Sequence, residues 1–401
     1  MRRHDNFICK TKWDAIDDLV AAVRFNPTVE EVPLEEALGR VAAEDVVSLN
    51  DAPNKLASRM DGIAVRFAAF EGAEGGAPDT SGWTEGVDYV FCNTGIGING
   101  DFDTAIRIED VEFEDGKLVI NQLPKERGQF TVQPGSNMRK GEVVARAHDI
   151  LSPLTLSQIA TGGHDRVKVI RKPVVAFIPT GNELVAPGTP VPPGKNTDSN
   201  SIMMRGKIVQ WGGEPLMYPI QPDVQETILA TIEDALSRAD IVVLNGGSSQ
   251  GSDDHTEDVL EKVGTVLSNV IYSGPGAHTS CTVTPEGKPI VGIPGPAVGA
   301  ECTADWFVMP LVDTYYGRRA PLPRARAKYI GEDSPARDGL FSMIRRAMIE
   351  RQDDGELTVR PIDFDDKRAM DAANAFIVFV PEGIKNGQLI DAELRFPYRV
   401  L

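Results

Sequence analysis

Two adjacent carboxylates, Asp253 and Asp254, end a run of glycine, serine and glutamine within residues 240–256. Acids of this kind hold a hard cation or move protons. The run before them contains Gly246, Gly247, Ser248, Ser249 and Gly251, and Thr256 adds a hydroxyl just beyond. Glycine lets a backbone approach a ligand closely, and the free N–H groups at a helix start attract anions. Upstream, residues 241–244 (Ile-Val-Val-Leu) form an unbroken apolar run. Such a run suits a strand buried on both faces of a parallel sheet. Downstream, residues 257–263 have helical character. Strand, glycine-serine loop and helix make an anion site in an α/β domain. The stretch therefore predicts a phosphorylated ligand on the loop. Taken alone, Asp254 followed by Glu257 also spells a capping box, and the serines also suit a plain turn.

Two other stretches must lie beside this one. Residues 174–178 read as a strand running into Pro179, Thr180, Gly181, Asn182 and Glu183. Residues 289–293 read as a strand running into Pro294 and Gly295. Asp198, Ser199 and Asn200 stand ahead of a helix over 202–210, and Ile228, Ile232 and Leu236 share a helix face. Strict β/α alternation predicts a doubly wound sheet, whose strand ends lie on one ligand-binding edge. Three such ends with glycine point to a nucleotide-like or phosphorylated ligand. Glu183 by itself reads equally as a solvated loop acid.

The remaining chain supplies further domains, as its 401 residues require. Thr11 is placed to cap a helix carrying Trp13, Ile16, Leu19, Val20 and Val23 on one apolar stripe. Residues 32–41 suggest a short helix ending at Gly39. Met60, Asp61 and Gly62 open an apolar stretch, and an acid before glycine there ordinarily makes a turn. Residues 66–145 are rich in glycine and short alternating runs. The boundaries expected are 1–49 with 146–171 as an N-terminal helical and linker domain, 50–145 as an inserted β-rich domain, 172–320 as the α/β domain and 321–401 as a C-terminal β domain. The net charge of −18 argues against a general nucleic-acid or anionic-membrane surface. Four scattered cysteines and five dispersed histidines give no zinc ribbon or disulfide framework. Neither a signal-peptide core nor a membrane-length apolar run is present, which predicts a cytoplasmic protein.

In this order the pieces resemble the MoeA family, the molybdopterin molybdenumtransferases that include the gephyrin E domain. The likeness rests on residues 32–41, on Ser-Arg-Met-Asp-Gly-Ile-Ala-Val at 58–65, on Thr94-Gly95 and on 138–142. It continues through Pro-Thr-Gly-Asn-Glu-Leu at 179–184, Asp-Ser-Asn at 198–200, Asn-Gly-Gly-Ser-Ser-Gln-Gly at 245–251, Asp-His-Thr at 254–256 and Ile-Pro-Gly at 293–295. The resemblance implies an elongated four-domain homodimer whose α/β domain binds adenylylated molybdopterin. The implied reaction inserts molybdate into that substrate and releases AMP, with a divalent cation such as Mg2+. Asp61, Glu183 and Asp254 take the catalytic places, and Glu183 and Asp254 the metal places. Substrate contacts fall to Thr94, Thr180, Gly181, Asn200, Gly246, Gly247, Ser248, Ser249, Gly251, Thr256, Pro294 and Gly295. Asp61 would enter from the partner subunit. A molybdopterin adenylyltransferase and recipient molybdoenzymes or their chaperones are the implied partners.

Several positions depart from the family pattern. Glu257 stands where a lysine is usual, and Gly274-Pro-Gly-Ala-His278 lacks both lysines of Lys-Pro-Gly-Lys-Pro. Residues 294–299 read Pro-Gly-Pro-Ala-Val-Gly, Val143 replaces an acid, and Arg368-Ala369 replace a serine pair. Exchanging lysine for glutamate changes local charge by two units, a large effect in a desolvated pocket. The alternative these losses raise is a molybdopterin-binding paralogue without metal insertion, a carrier, scaffold or regulatory partner. AMP release separates the two.

Overall fold

The computed structural model describes residues 7–71, 78–246, 256–318, 323–336, 339–363 and 366–395. Two compact units divide the chain. One combines Met1–Thr28 with Arg171–Leu401, and the other is Val29–Ile170.

In the larger unit a six-stranded sheet runs in the order Glu214–Met217, Val174–Pro179, Ile241–Asn245, Pro289–Ile293, Ser280–Val283, Thr265–Ser268. The first four strands run parallel, Ser280–Val283 runs against them, and Thr265–Ser268 pairs antiparallel with Ser280–Val283. Ala176, Ile178, Val242, Leu244 and Ile290 pack against Ile228, Ile232 and Leu260. Val175, Phe177, Ile241, Val243 and Val291, pointing the other way by alternation, are buried too. Burial on both faces explains why these strands read as unbroken apolar runs. From Val174–Pro179 the chain passes through helix Asn200–Gln210 to the edge strand, then returns through helix Gln225–Arg238 to Ile241–Asn245. The strand order therefore reverses between Val174–Pro179 and Ile241–Asn245, the place where open α/β sheets bind ligands.

Residues 7–28 group with this sheet rather than with residues 29–49. Cys9–Lys10 pair in parallel with Val270–Ile271, which fixes the helix Lys12–Ala22 that follows. Thr11 caps that helix as expected, accepting from the Asp14 N–H. The buried face, however, carries Lys12, Ala15 and Leu19, while Trp13 is exposed. The reason is electrostatic. Lys12 Nζ donates to both carboxylate oxygens of Glu393, at 2.7 and 2.8 Å, with both side chains buried. Removing one partner of such a pair destabilises by about 3–5 kcal/mol, whereas replacing both with apolar groups is often neutral. Lys12→Met should therefore cost several kcal/mol in urea unfolding, and adding Glu393→Leu should restore most of it. An additive double variant would refute this coupling.

The C-terminal region closes a β-barrel. Ser342–Arg351 pairs with Leu357–Pro361, then Arg324–Tyr329, Leu389–Leu394 and Ala375–Phe379 follow, and the last pairs back to Ser342–Arg351. Its interior includes Ala327, Tyr329, Ile349, Val359 and Ile377. Ser273–Gly274 add to it in parallel at Ser342–Met343.

The smaller unit centres on the antiparallel sheet Tyr89–Cys92, Gly62–Val65, Thr104–Arg107. A second pair joins Val29–Pro33 to Arg166–Ile170. The helix expected over 32–41 is absent. Val32 and Pro33 instead pair with Val167 and Arg166, leaving one 3-10 turn at Leu34–Glu36. Cross-strand pairing overrides the helical pattern there.

Candidate functional site

Register brings three strand ends together. Pro179 lies opposite Asn245, and Asn245 opposite Ile293. The loops that follow carry Thr180, Gly246 and Gly295 to one edge of the sheet. They line a cleft of about 410 Å³, together with Glu183, Asp198 and Asn200. That volume suits one ring system with its substituents.

Hydrogen bonds lock the loops to one another. The Thr180 N–H donates to the Asn245 carbonyl at 2.9 Å, and the Gly246 N–H to the Ile293 carbonyl at 3.1 Å. Asn245 Nδ2 donates to the Pro294 carbonyl at 2.8 Å. Asn200 Nδ2 donates to Asn245 Oδ1 at 2.9 Å and to the Gly295 carbonyl at 2.8 Å. Asn245, not among the expected site residues, is thus the hub. Its signal in the sequence was a lone amide ending the apolar run 241–244, where a buried polar group needs partners.

Two glycines are required by close approach. Gly246 has φ +107°, and a Cβ there would lie 2.6 Å from the Thr180 carbonyl oxygen. Gly181 has φ +148°, and a Cβ there would lie 2.7 Å from both Glu183 carboxylate oxygens. Glu183 thus sits over the bare Cα of Gly181. Its carboxylate is exposed and has no hydrogen-bond or ion-pair partner among the described residues. Asp198 is different. Its carboxylate accepts from the Ser201 N–H at 3.0 Å and from the Ser201 hydroxyl, which anchors the start of helix Asn200–Gln210.

Gly181 does not line the cleft; its N–H donates to the Gln221 carbonyl at 3.1 Å. Pro294 is also off the lining, with its carbonyl taken by Asn245. Gly247, Ser248, Ser249, Gly251, Asp253 and Asp254 lie outside the described residues. Of Thr256 the structure gives only its place as first residue of helix Thr256–Val263.

Asp61 and Thr94 meet in the smaller unit. The Thr94 N–H and hydroxyl both donate to Asp61 Oδ1, at 2.7 and 3.1 Å. Asp61 is held at the head of strand Gly62–Val65, and its carbonyl accepts from the Ile108 N–H at 2.8 Å. Gly62 is obligatory there, because a Cβ would fall on the Ile106 carbonyl oxygen.

The cleft is acidic, while Glu257 and residues 274–278, the positions without the family lysines, are not part of its lining. Its described lining holds Glu183 and Asp198 and no lysine or arginine. Glu257 has a structural partner: its Oε1 accepts from Asn269 Nδ2 at 2.9 Å, and Asn269 Oδ1 accepts from the Ile8 N–H at 2.8 Å. It therefore helps hold the N-terminal strand. No group of three metal-ligating side chains occurs among the described residues. A magnesium ion needs fewer from the protein, one or two carboxylates with substrate phosphates completing its shell. The unpartnered Glu183 carboxylate at the cleft fits that requirement.

Comparison with known proteins gives two family matches. Residues 11–163 match the family described as MoeA N-terminal region (domain I and II), and residues 176–314 match the probable molybdopterin binding domain. The molybdopterin molybdenumtransferase of Staphylococcus epidermidis is 28% identical over 383 residues, covering 90% of each chain. That of Bacillus subtilis is 27% identical over 379 residues, covering 89% of this chain and 86% of its own. The crystal structure of the molybdopterin biosynthesis MoeA protein from Pyrococcus horikoshii superposes with a TM-score of 0.78 at 28% identity, covering 96% of this chain and 99% of that one.

Proposed function

This chain belongs to the MoeA family, and we propose that it acts in molybdenum cofactor biosynthesis as a molybdopterin molybdenumtransferase. It inserts molybdate into adenylylated molybdopterin and releases AMP. The observation that carries this reading is the cleft at the sheet's reversal point, formed by strand ends inside the segment that matches the molybdopterin-binding family.

Roles follow from position and chemistry. Asn200, Thr180, Gly246 and Gly295 contact the ligand, and Gly181 and Pro294 shape the loops that carry them. Gly247, Ser248, Ser249, Gly251 and Thr256 cradle the pyrophosphate with backbone and hydroxyl donors. Glu183 and Asp254 would hold Mg2+, which would neutralise charge on the phosphoanhydride. A water oxygen adds to the adenylyl phosphorus as the anhydride P–O bond breaks, so AMP leaves with the new oxygen and molybdopterin keeps its own phosphate. Positioning and charge neutralisation dominate such a step. Asp61, oriented by Thr94, closes the site from a partner subunit in a homodimer. The protein acts in the cytoplasm, between the adenylyltransferase that supplies its substrate and the molybdoenzymes or chaperones that receive the product. Among the described residues no helix is long and apolar enough to cross a membrane.

The test is direct. Purified protein with adenylylated molybdopterin, molybdate and Mg2+ should release AMP. Asp254→Ala should abolish release, and Glu183→Gln should raise the magnesium requirement at least tenfold. Tight pterin binding without AMP would instead identify a carrier.

A further inference from the structure

We propose that Asn200 Oδ1 is a fixed hydrogen-bond acceptor in the cleft wall that reads an N–H or O–H donor of the bound substrate. A neutral donor edge, and not a phosphate, then occupies that wall. The identity of the ligand rests on the transferase reading; the polarity of the wall rests on the amide network alone.

The carbonyls of Gly295 and Pro294 can only accept. Asn200 must therefore turn its NH2 toward Gly295, and Asn245 its NH2 toward Pro294. Asn245 Oδ1 then faces the second N–H of Asn200. Neither amide can flip without setting acceptor against acceptor. Both Asn200 protons are spent, and Oδ1 is the unspent atom. It has no partner among the described residues, although Asn200 is only 7% exposed. Asn200 lines the cleft, so a ligand donor there can complete the hydrogen bonding of this amide.

Two neighbouring carboxylates have the same polarity. The Glu183 carboxylate is a second acceptor in the cleft lining, and the Asp198 carboxylate is already turned to Ser201. Phosphate oxygens offer only acceptors and negative charge, so they cannot pair with Asn200 Oδ1, and they approach Glu183 only with a cation between them. The substrate carries two suitable donor sets. One is the ring N–H and amino edge of the pterin, and the other is the ribose hydroxyls of the adenylyl half.

Calorimetric titration of the full chain with three probes separates these sources: 6-hydroxymethylpterin, AMP and inorganic pyrophosphate. Asn200→Ala should weaken the pterin or the AMP about tenfold, the worth of one neutral hydrogen bond, and leave pyrophosphate unchanged. A matching loss should appear in the unaltered protein when that probe's donors are blocked, by N-methylation of the pterin or by use of 2′,3′-dideoxy-AMP. The ligand-side loss does not depend on how well the variant folds. Unchanged affinity for both donor-bearing probes, or a loss for pyrophosphate, overturns the proposal. If the unaltered protein releases AMP while Asn200→Ala binds all probes normally, this inference fails and the transferase reading stands. If the unaltered protein binds neither donor-bearing probe and releases no AMP, both fail.

Discussion

Gly246→Ala is expected to reduce AMP release by about 100-fold while leaving a folded protein. The Cβ would sit 2.6 Å from the Thr180 carbonyl oxygen and 2.8 Å from Thr180 Oγ1, at a backbone angle of φ +107°. Neither contact can be kept, so the Thr180 and Gly246 loops must part. These loops carry two of the three strand ends that define the cleft, and displacement of about 1 Å in a positioned site costs about 10²-fold in rate. Strain at the same residue adds a stability loss of about 1–3 kcal/mol. AMP-release kinetics with circular dichroism and urea unfolding check both parts. Turnover near that of the unaltered protein would show that the cleft lies elsewhere. Gly181→Ala should be milder, because its Cβ meets the movable carboxylate of Glu183 rather than backbone.

Glu301→Ala is expected to destabilise the protein by about 3–5 kcal/mol, the usual effect of breaking a buried ion pair from one side. Glu301 is buried and meets Arg346 and Arg395 of the barrel region through close ion pairs, with Lys207 Nζ at 3.8 Å. Alanine would strip these cations of their shared anion. Urea unfolding measures the loss, and a change below about 1 kcal/mol would mean that the cluster behaves like a surface pair. The effect reaches the site, because Glu301 lies on the helix Ala297–Thr303 that begins just after Gly295.

One neighbour responds to pH. Burial pushes the Asp305 carboxyl above the ordinary carboxylate range, more strongly than Lys207 at 2.7 Å pulls it down. The folded protein thus binds that proton more tightly than the unfolded chain does. Stabilisation from this group is complete below the ordinary value of 3.8 and is lost as pH rises through the raised one.

The family, the α/β alternation and the three glycine-bearing strand ends were legible from residue types and spacing. These are local properties: apolar runs of strand length, turn residues at their ends and motifs in a set order. Thr11 as a helix cap is equally local and was readable for the same reason. Helical spacing marked the face of Trp13, Ile16, Leu19, Val20 and Val23 but did not reveal that Lys12 has a buried acid 381 residues away. The segment at 32–41 was misread because its pairing partner, Arg166–Ile170, lies far along the chain.

The glycine loop at 246–251 predicted an anion cradle, and Gly246 confirmed the need for a bare Cα at its start. The described cleft beside it has the opposite polarity, with Glu183, Asp198 and the oriented amides of Asn200 and Asn245. Sequence alone placed Glu183 and Asn245 at strand ends and Asp198 and Asn200 ahead of a helix. Only the tertiary structure decided which way each amide faces, because that depends on carbonyls brought to it from 49 and 95 residues away.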